Sequence, residues 1–135
     1  SDVCSSDLST INAEANLTFD GTTLAVTGYI TATQDITAYY SSDERLKDNK
    51  ILIQNALQKV KNLGGYEFDW IEMEGIHINE GHDIGVMAQE VEKIVPEVVI
   101  TRDNGYKAVR YEKLVALLIE AIKDLSDEID HLKSK

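Results

Sequence analysis

Apolar positions change rhythm several times along this chain, and each change predicts a different kind of element. Between residues 9 and 40 they are sparse and alternate with small polar groups. Leu17-Thr18-Phe19 reads as a short strand, and Asp20-Gly21 is a turn pair that favours a positive φ at the glycine. Alternation resumes over 22–27, ends at Gly28, and starts again over Tyr29-Ile30-Thr31-Ala32-Thr33. Strands this short carry too little apolar surface to offset, within one chain, the entropy of ordering them. They predict pairing with other copies or a place at the end of a longer β-rich fibre, and both imply an oligomer.

From 43 to 62 the spacing becomes helical. Leu46, Ile53, Leu57 and Val60 line one face, with Ile51 and Ala56 beside them. Ser42 or Asp43 suits the N-cap, and Asp43 and Glu44 suit the positive end of the helix dipole. Asp48-Asn49 is positioned to interrupt the first turn, and Leu63-Gly64-Gly65 stops the helix. Tyr66-Glu67-Phe68-Asp69-Trp70 then alternates strictly, an aromatic face against an acidic one, as a half-buried strand does. Residues 72–83 form a polar excursion punctuated by glycine. Residues 84–89 predict a buried strand running into a short helix, Gln89 to Ile94, which Pro96 ends. Val98 to Thr101 and Tyr106 to Val109 flank Arg102-Asp103-Asn104-Gly105, a hairpin signal.

The final segment is the most periodic. Tyr111, Val115, Leu118, Ile122, Leu125, Ile129 and Leu132 recur in alternating steps of four and three, a coiled-coil seam of about three heptads. Leu114, Leu117 and Ala121 widen the stripe in its first half, which predicts packing of that half against the globular part. The second half is narrow and polar-flanked, so it calls for a partner helix from another copy. By itself, the mix of β-branched residues and Leu in the seam leans towards two strands.

Composition narrows the function classes. The 135 residues are 43% hydrophobic, as globular chains are, with a net charge of −11. An acidic surface disfavours nucleic acid or an anionic membrane as partner. No apolar run approaches the ~18 residues of a membrane span, and no signal-peptide pattern is visible. The lone Cys4 excludes an internal disulfide framework and a cysteine-rich metal site. Residues 1–8 are similar to translated sequencing-adapter read-through at the ends of metagenomic gene models, so they are expected to be a non-native leader. His77, His82 and His131 lack metal-ligand spacing, and no GK[ST] or GxGxxG glycine loop is present, so no metal or cofactor is predicted.

Candidate chemistry sits where the β-like region meets the charged one. Ser42 and Lys47 lie five residues apart within Ser41-Ser42-Asp43-Glu44-Arg45-Leu46-Lys47. A neutral amine can take the proton of a hydroxyl, so a Ser and a Lys are the smallest kit for acyl transfer. Lysine ordinarily keeps its proton at neutral pH, and burial or neighbouring cations are what remove it. Arg45 is such a cation, whereas Asp43, Glu44 and Asp48 oppose the change. The pattern predicts a site that assembly switches on. On the residues alone, Ser42 and Asp43 serve equally as a helix cap and Lys47 as a solvated lysine. Gln89 and Glu90 either support the site or cap the short helix, and Phe68 and Trp70 read as core.

Taken in order, Ser42-Asp43-Glu44-Arg45-Leu46-Lys47, Phe68-Asp69-Trp70, Ile84-Gly85-Val86-Met87-Ala88-Gln89-Glu90-Val91, Pro96-Glu97, Tyr106-Lys107-Ala108-Val109-Arg110-Tyr111 and 114–123 together resemble the peptidase S74 domain. This is the C-terminal intramolecular chaperone of phage tailspikes and tail fibres (endosialidase type), and the resemblance spans 41–125. It implies a homotrimer whose chaperone domain gathers three chains, helps their β-rich fibre ends wind together, and then cuts itself off. It further implies a self-cleaving serine endopeptidase acting once in cis, with Ser42 and Lys47 as the dyad and Ser42–Asp43 as the scissile bond. The implied partners are other copies of the chain and the upstream fibre segment as folding client. The implied place is the virion tail fibre, folded in the bacterial host cytoplasm, with the chaperone domain released after the cut.

One chemical difficulty attends that bond. Attack by Ser42 on its own carbonyl closes a four-membered ring, whereas attack on the preceding carbonyl would cut Ser41–Ser42. The family pattern favours Ser42–Asp43, with side-chain participation by Asp43 as one form of assistance. The expected fold is α+β. It comprises a β-rich fibre segment over 9–42, triple-β-helix-like, and a chaperone domain over 43–135 whose long helix joins a trimeric coiled coil. Two other functions fit the same residues: a structural trimerisation tip that never cuts, or a receptor-binding tip using Phe19, Tyr29, Tyr39 and Tyr40.

Overall fold

A computed structural model of the chain describes residues 15–135; the leader expected at 1–8 and the first part of the fibre segment expected over 9–42 lie outside the described residues. The chain forms two compact units, one ending at Lys47 and one spanning Asp48–Lys135. In the first, β1 (Leu17–Phe19) and β2 (Leu24–Val26) pair antiparallel with Thr18 opposite Ala25. Asp20 builds the turn between them: its Oδ1 accepts from the Thr22 and Thr23 backbone N–H groups at 2.9 and 2.7 Å and from the Thr22 hydroxyl at 2.8 Å. Gly21 supplies the positive φ of 98°. The strand expected over 29–33 does not form. A strand needs a partner ladder, and with Tyr29 and Ile30 exposed this segment has none among the described residues.

The helix expected over 43–62 is also not continuous. It is reduced to a single 3-10 turn, Glu44–Leu46, and a short helix α1, Ala56–Lys61. Asn49 and Asn55 adopt left-handed backbone, φ 52° and 55°, which asparagine tolerates better than most residues and which no helix can contain. The Asn55 side chain makes no cap, and Asp124 takes that part instead, accepting from Leu57 N at 3.2 Å.

In the same unit β3 (Tyr66–Asp69) pairs antiparallel with β4 (His82–Gly85), Phe68 opposite Asp83. β4 therefore begins inside the stretch expected to be excursion and ends before the expected helix start. Tyr66, Phe68 and Trp70 share one face, as alternation predicts; Glu67 and Asp69 are exposed on the other. Helix α2 (Ala88–Ile94) follows, then a 3-10 turn at Pro96–Val98 and the hairpin β5 (Val99–Thr101) and β6 (Lys107–Val109). Gly105 turns that hairpin at φ 85°. A 3-10 turn at Tyr111–Lys113 leads into α3, Leu114–Lys133. The fold is thus a mixed α+β arrangement of short antiparallel strand pairs and a long last helix. Among the described residues no helix is long and apolar enough to cross a membrane.

The core is small. Ala56, Leu117 and Ala121 form one buried cluster where α1 meets α3, with Ile53, Val60, Leu63, Val95 and Leu114 packed around it. Val91 and Val98 are buried where α2 meets the hairpin. Leu114, Leu117 and Ala121 are the residues that widen the α3 stripe, and they do turn towards the globular part. The seam itself stays open to solvent in the single chain: Ile122 is 66% exposed and Leu125 45%.

Gly85 shows why the central motif needs a glycine. A Cβ there would meet the Tyr111 hydroxyl at 2.6 Å, and that hydroxyl accepts from Val86 N at 3.1 Å. Gly85→Ala is therefore expected to destabilise by roughly 1–3 kcal/mol through overpacking. Adding Tyr111→Phe should recover only part of this, because Val86 N then loses its acceptor. A urea-melt double-mutant cycle measures the coupling, and additivity of the two changes would refute it.

Candidate active site

The chain enters the site extended at Asp43 (φ −62°, ψ 133°), makes one 3-10 turn through Glu44–Leu46, and leaves extended at Lys47 (φ −128°, ψ 135°). Leu46 N donates to Asp43 O and Lys47 N to Glu44 O, both at 3.1 Å. This U-shaped path folds Lys47 back towards Ser42, and Lys47 Nζ donates to Ser42 Oγ at 2.8 Å. The same separation accommodates the reversed bond, hydroxyl to neutral amine, that a general base requires. Both side chains are exposed in the single chain.

Asp43, not Ser42, caps the turn. Its Oδ1 accepts from Arg45 N at 2.8 Å and from Arg45 Nε at 3.0 Å, while Oδ2 accepts from Arg45 Nη2 at 2.8 Å. This two-pronged pairing matches the fork of a guanidinium to a carboxylate. Arg45, with its backbone N–H, holds the Asp43 carboxyl below its ordinary 3.8, and Asp43 in turn raises Arg45. A carboxyl lowered on folding adds stability above its unfolded value and loses it as pH falls through the folded value. The pairing accordingly contributes more at neutral pH than in acid. Sequence reading assigned Arg45 to the electrostatics of Lys47, but its charge is neutralised by Asp43. A Ser-Asp cap was legible; the Asp43–Arg45 fork was not, because pairs two residues apart have no periodic signature.

Glu90 and Gln89 belong to the unit spanning Asp48–Lys135. Glu90 Oε1 accepts from the Tyr66 hydroxyl at 2.6 Å and Oε2 from Gly64 N at 3.3 Å, so α2 is tied to the start of β3. This bond raises the Tyr66 hydroxyl above its ordinary value. A Cβ at Gly64 would run into the Tyr66 ring, which accounts for the glycine there. Gln89 is exposed on α2. Trp70, set edge-on to Phe68 at 5.2 Å, donates from Nε1 to Asp83 Oδ2 at 3.0 Å, and this bond is the main cause that lowers Asp83. His77 braces the excursion, accepting from Asn79 N at Nδ1 (3.1 Å) and so donating from Nε2 to Ile71 O (2.7 Å).

Residues 42–100 match the peptidase S74 family, described as chaperone of endosialidase, and this part of the chain belongs to that family. Among known proteins, the chain is 38% identical over 101 residues to the long tail fiber protein Gp37 of Enterobacteria phage K3, covering 72% of this chain and 8% of that protein. To the Gp37 proteins of Enterobacteria phage M1 and Salmonella phage S16 it is 35% identical over 100 residues and 31% over 101, covering 71% and 70% of this chain. The chain spans only 40% and 13% of those two relatives.

Proposed function

We propose that this chain is the chaperone-bearing part of a phage tail fibre, which brings three copies together and then releases the chaperone by cutting itself at Ser42–Asp43. The observation that carries this reading is the 2.8 Å contact of Lys47 Nζ with Ser42 Oγ at the first residues of the family match. The fibre segment ends at Ser42 and the chaperone domain begins at Asp43. Overall, water adds across one peptide bond: hydroxide to the Ser42 carbonyl carbon, and a proton to the Asp43 nitrogen. Lys47, once neutral, takes a proton from the attacking water, which the Ser42 hydroxyl orients, and a proton passes to the Asp43 nitrogen as the C–N bond breaks.

Three features support self-association as a homotrimer. The α3 seam is open to solvent, the core of one chain is small, and residues 29–41 form no helix or strand, with Ile36, Tyr39 and Tyr40 exposed. Packing three seams together would give the trimeric coiled coil, and pairing three copies of the 29–41 segment would give a triple-β-helix end. An exposed dyad is expected to be silent, and burial of the two groups on assembly is what switches it on. The resulting place is the virion tail fibre, reached after folding in the host cytoplasm.

The exposure of both dyad side chains also fits a second reading, a trimerisation tip that never cuts. A denaturing gel with mass spectrometry of the intact chain separates the two. Fragments ending at Ser42 and starting at Asp43 support the first reading. A break at Ser41–Ser42 moves the bond, and an uncut chain in a well-formed trimer removes the enzymatic claim.

A further inference from the structure

The Ser42–Lys47 contact joins residues five apart, a separation that no helix face brings together. It depends wholly on the sharp turn between them. All residues from 41 to 50 are exposed. Local bonds that shape the turn include two backbone bonds at 3.1 Å and the three that the Asp43 carboxylate accepts from Arg45. Asp43 also contributes the nitrogen of the bond proposed to break. The Arg45 side chain is 89% exposed, and its charge is matched by Asp43.

We infer that Asp43 and Arg45 form a positioning clamp, which closes the turn from outside and so holds Lys47 over Ser42. Arg45 touches no reacting atom; it sets the approach of the two groups. This rests on the cleavage reading above. The alternative role for Arg45, driving the proton off Lys47 by charge, predicts different behaviour. Lysine at position 45 keeps the charge but has no fork, so it restores an electrostatic effect and not a clamp.

The test compares the intact chain with Arg45→Ala and Arg45→Lys, following cleavage against pH and the mass of the assembly. Exposed forked pairs of this kind are worth up to about fivefold in an equilibrium, so Arg45→Ala should slow cleavage by about that factor. The pH midpoint and the assembled mass should not change, and Arg45→Lys should not restore the rate. In a Ser42→Ala background, which stays uncut, Arg45→Ala should speed amide exchange at Leu46 and Lys47 by a similar factor. Unchanged exchange overturns the clamp. So does an upward-shifted pH midpoint in Arg45→Ala with full rescue by Arg45→Lys. If the wild-type chain never cuts, the cleavage reading fails, and the exchange comparison by itself decides the clamp.

Discussion

Ser42→Ala and Lys47→Ala should each leave the chain uncut, with self-cleavage slowed at least about a thousandfold, because members of a catalytic pair act as a unit. Lys47→Arg should be equally inactive: guanidinium keeps its proton at any accessible pH and cannot serve as base. The turn is not expected to collapse in these variants, since its cap is the Asp43 carboxylate and its closing bonds are backbone ones. That separates chemistry from capping. If Ser42 mattered only as a cap, Ser42→Ala would alter neither assembly nor the fragment pattern. Denaturing gels taken over time, beside the assembled mass of the same samples, give the answer. Fragments that persist in Ser42→Ala would remove the dyad.

Opposite faces of α3 should respond differently to mutation. Leu117 is 1% exposed and packs on Ala56 and Ala121. Leu117→Ala should cost about 2–5 kcal/mol, a large share of the stability of a small domain. The penalty belongs to the single chain, because α1 packs on this face. Ile122 is 66% exposed in the single chain. Ile122→Asp should therefore cost that chain less than about 1 kcal/mol, mostly helix propensity. Its effect should fall on assembly: three carboxylates brought together in an apolar seam are desolvated and repel one another, and the trimer should not form. Chemical denaturation measures the first variant and sedimentation the second. A trimer that survives Ile122→Asp would place the self-association surface elsewhere.

Several elements were legible because their signals are local. The hairpin at 99–109 follows from Asn104-Gly105, where glycine takes the positive φ and Asn104 Oδ1 accepts from Tyr106 N at 3.0 Å. Helix α3 follows from its steps of four and three. The pairing of β3 with β4 was not legible, because their register is set across an intervening excursion that Trp70, His77 and Asp83 brace. The helix expected over 43–62 failed for a related reason. Its apolar spacing is real, but Asn49 and Asn55 turn the backbone the other way, and Ile51 and Leu52 are left exposed.

What the sequence determined by itself is a set of local facts: the seam of α3, the hairpin turn, and a serine and a lysine separated by an acidic, helix-starting stretch. Periodicity and turn chemistry act between near neighbours, so they can be read from residue types. The tertiary structure alone decided which side of α3 is covered within the chain and which is left exposed. It also decided that Glu90 ties α2 to the start of β3, and that the stretch between Ser42 and Lys47 is a U-turn held by Asp43 and Arg45. Those outcomes depend on which groups meet in space, and a 2.8 Å contact between residues five apart has no signature in their spacing.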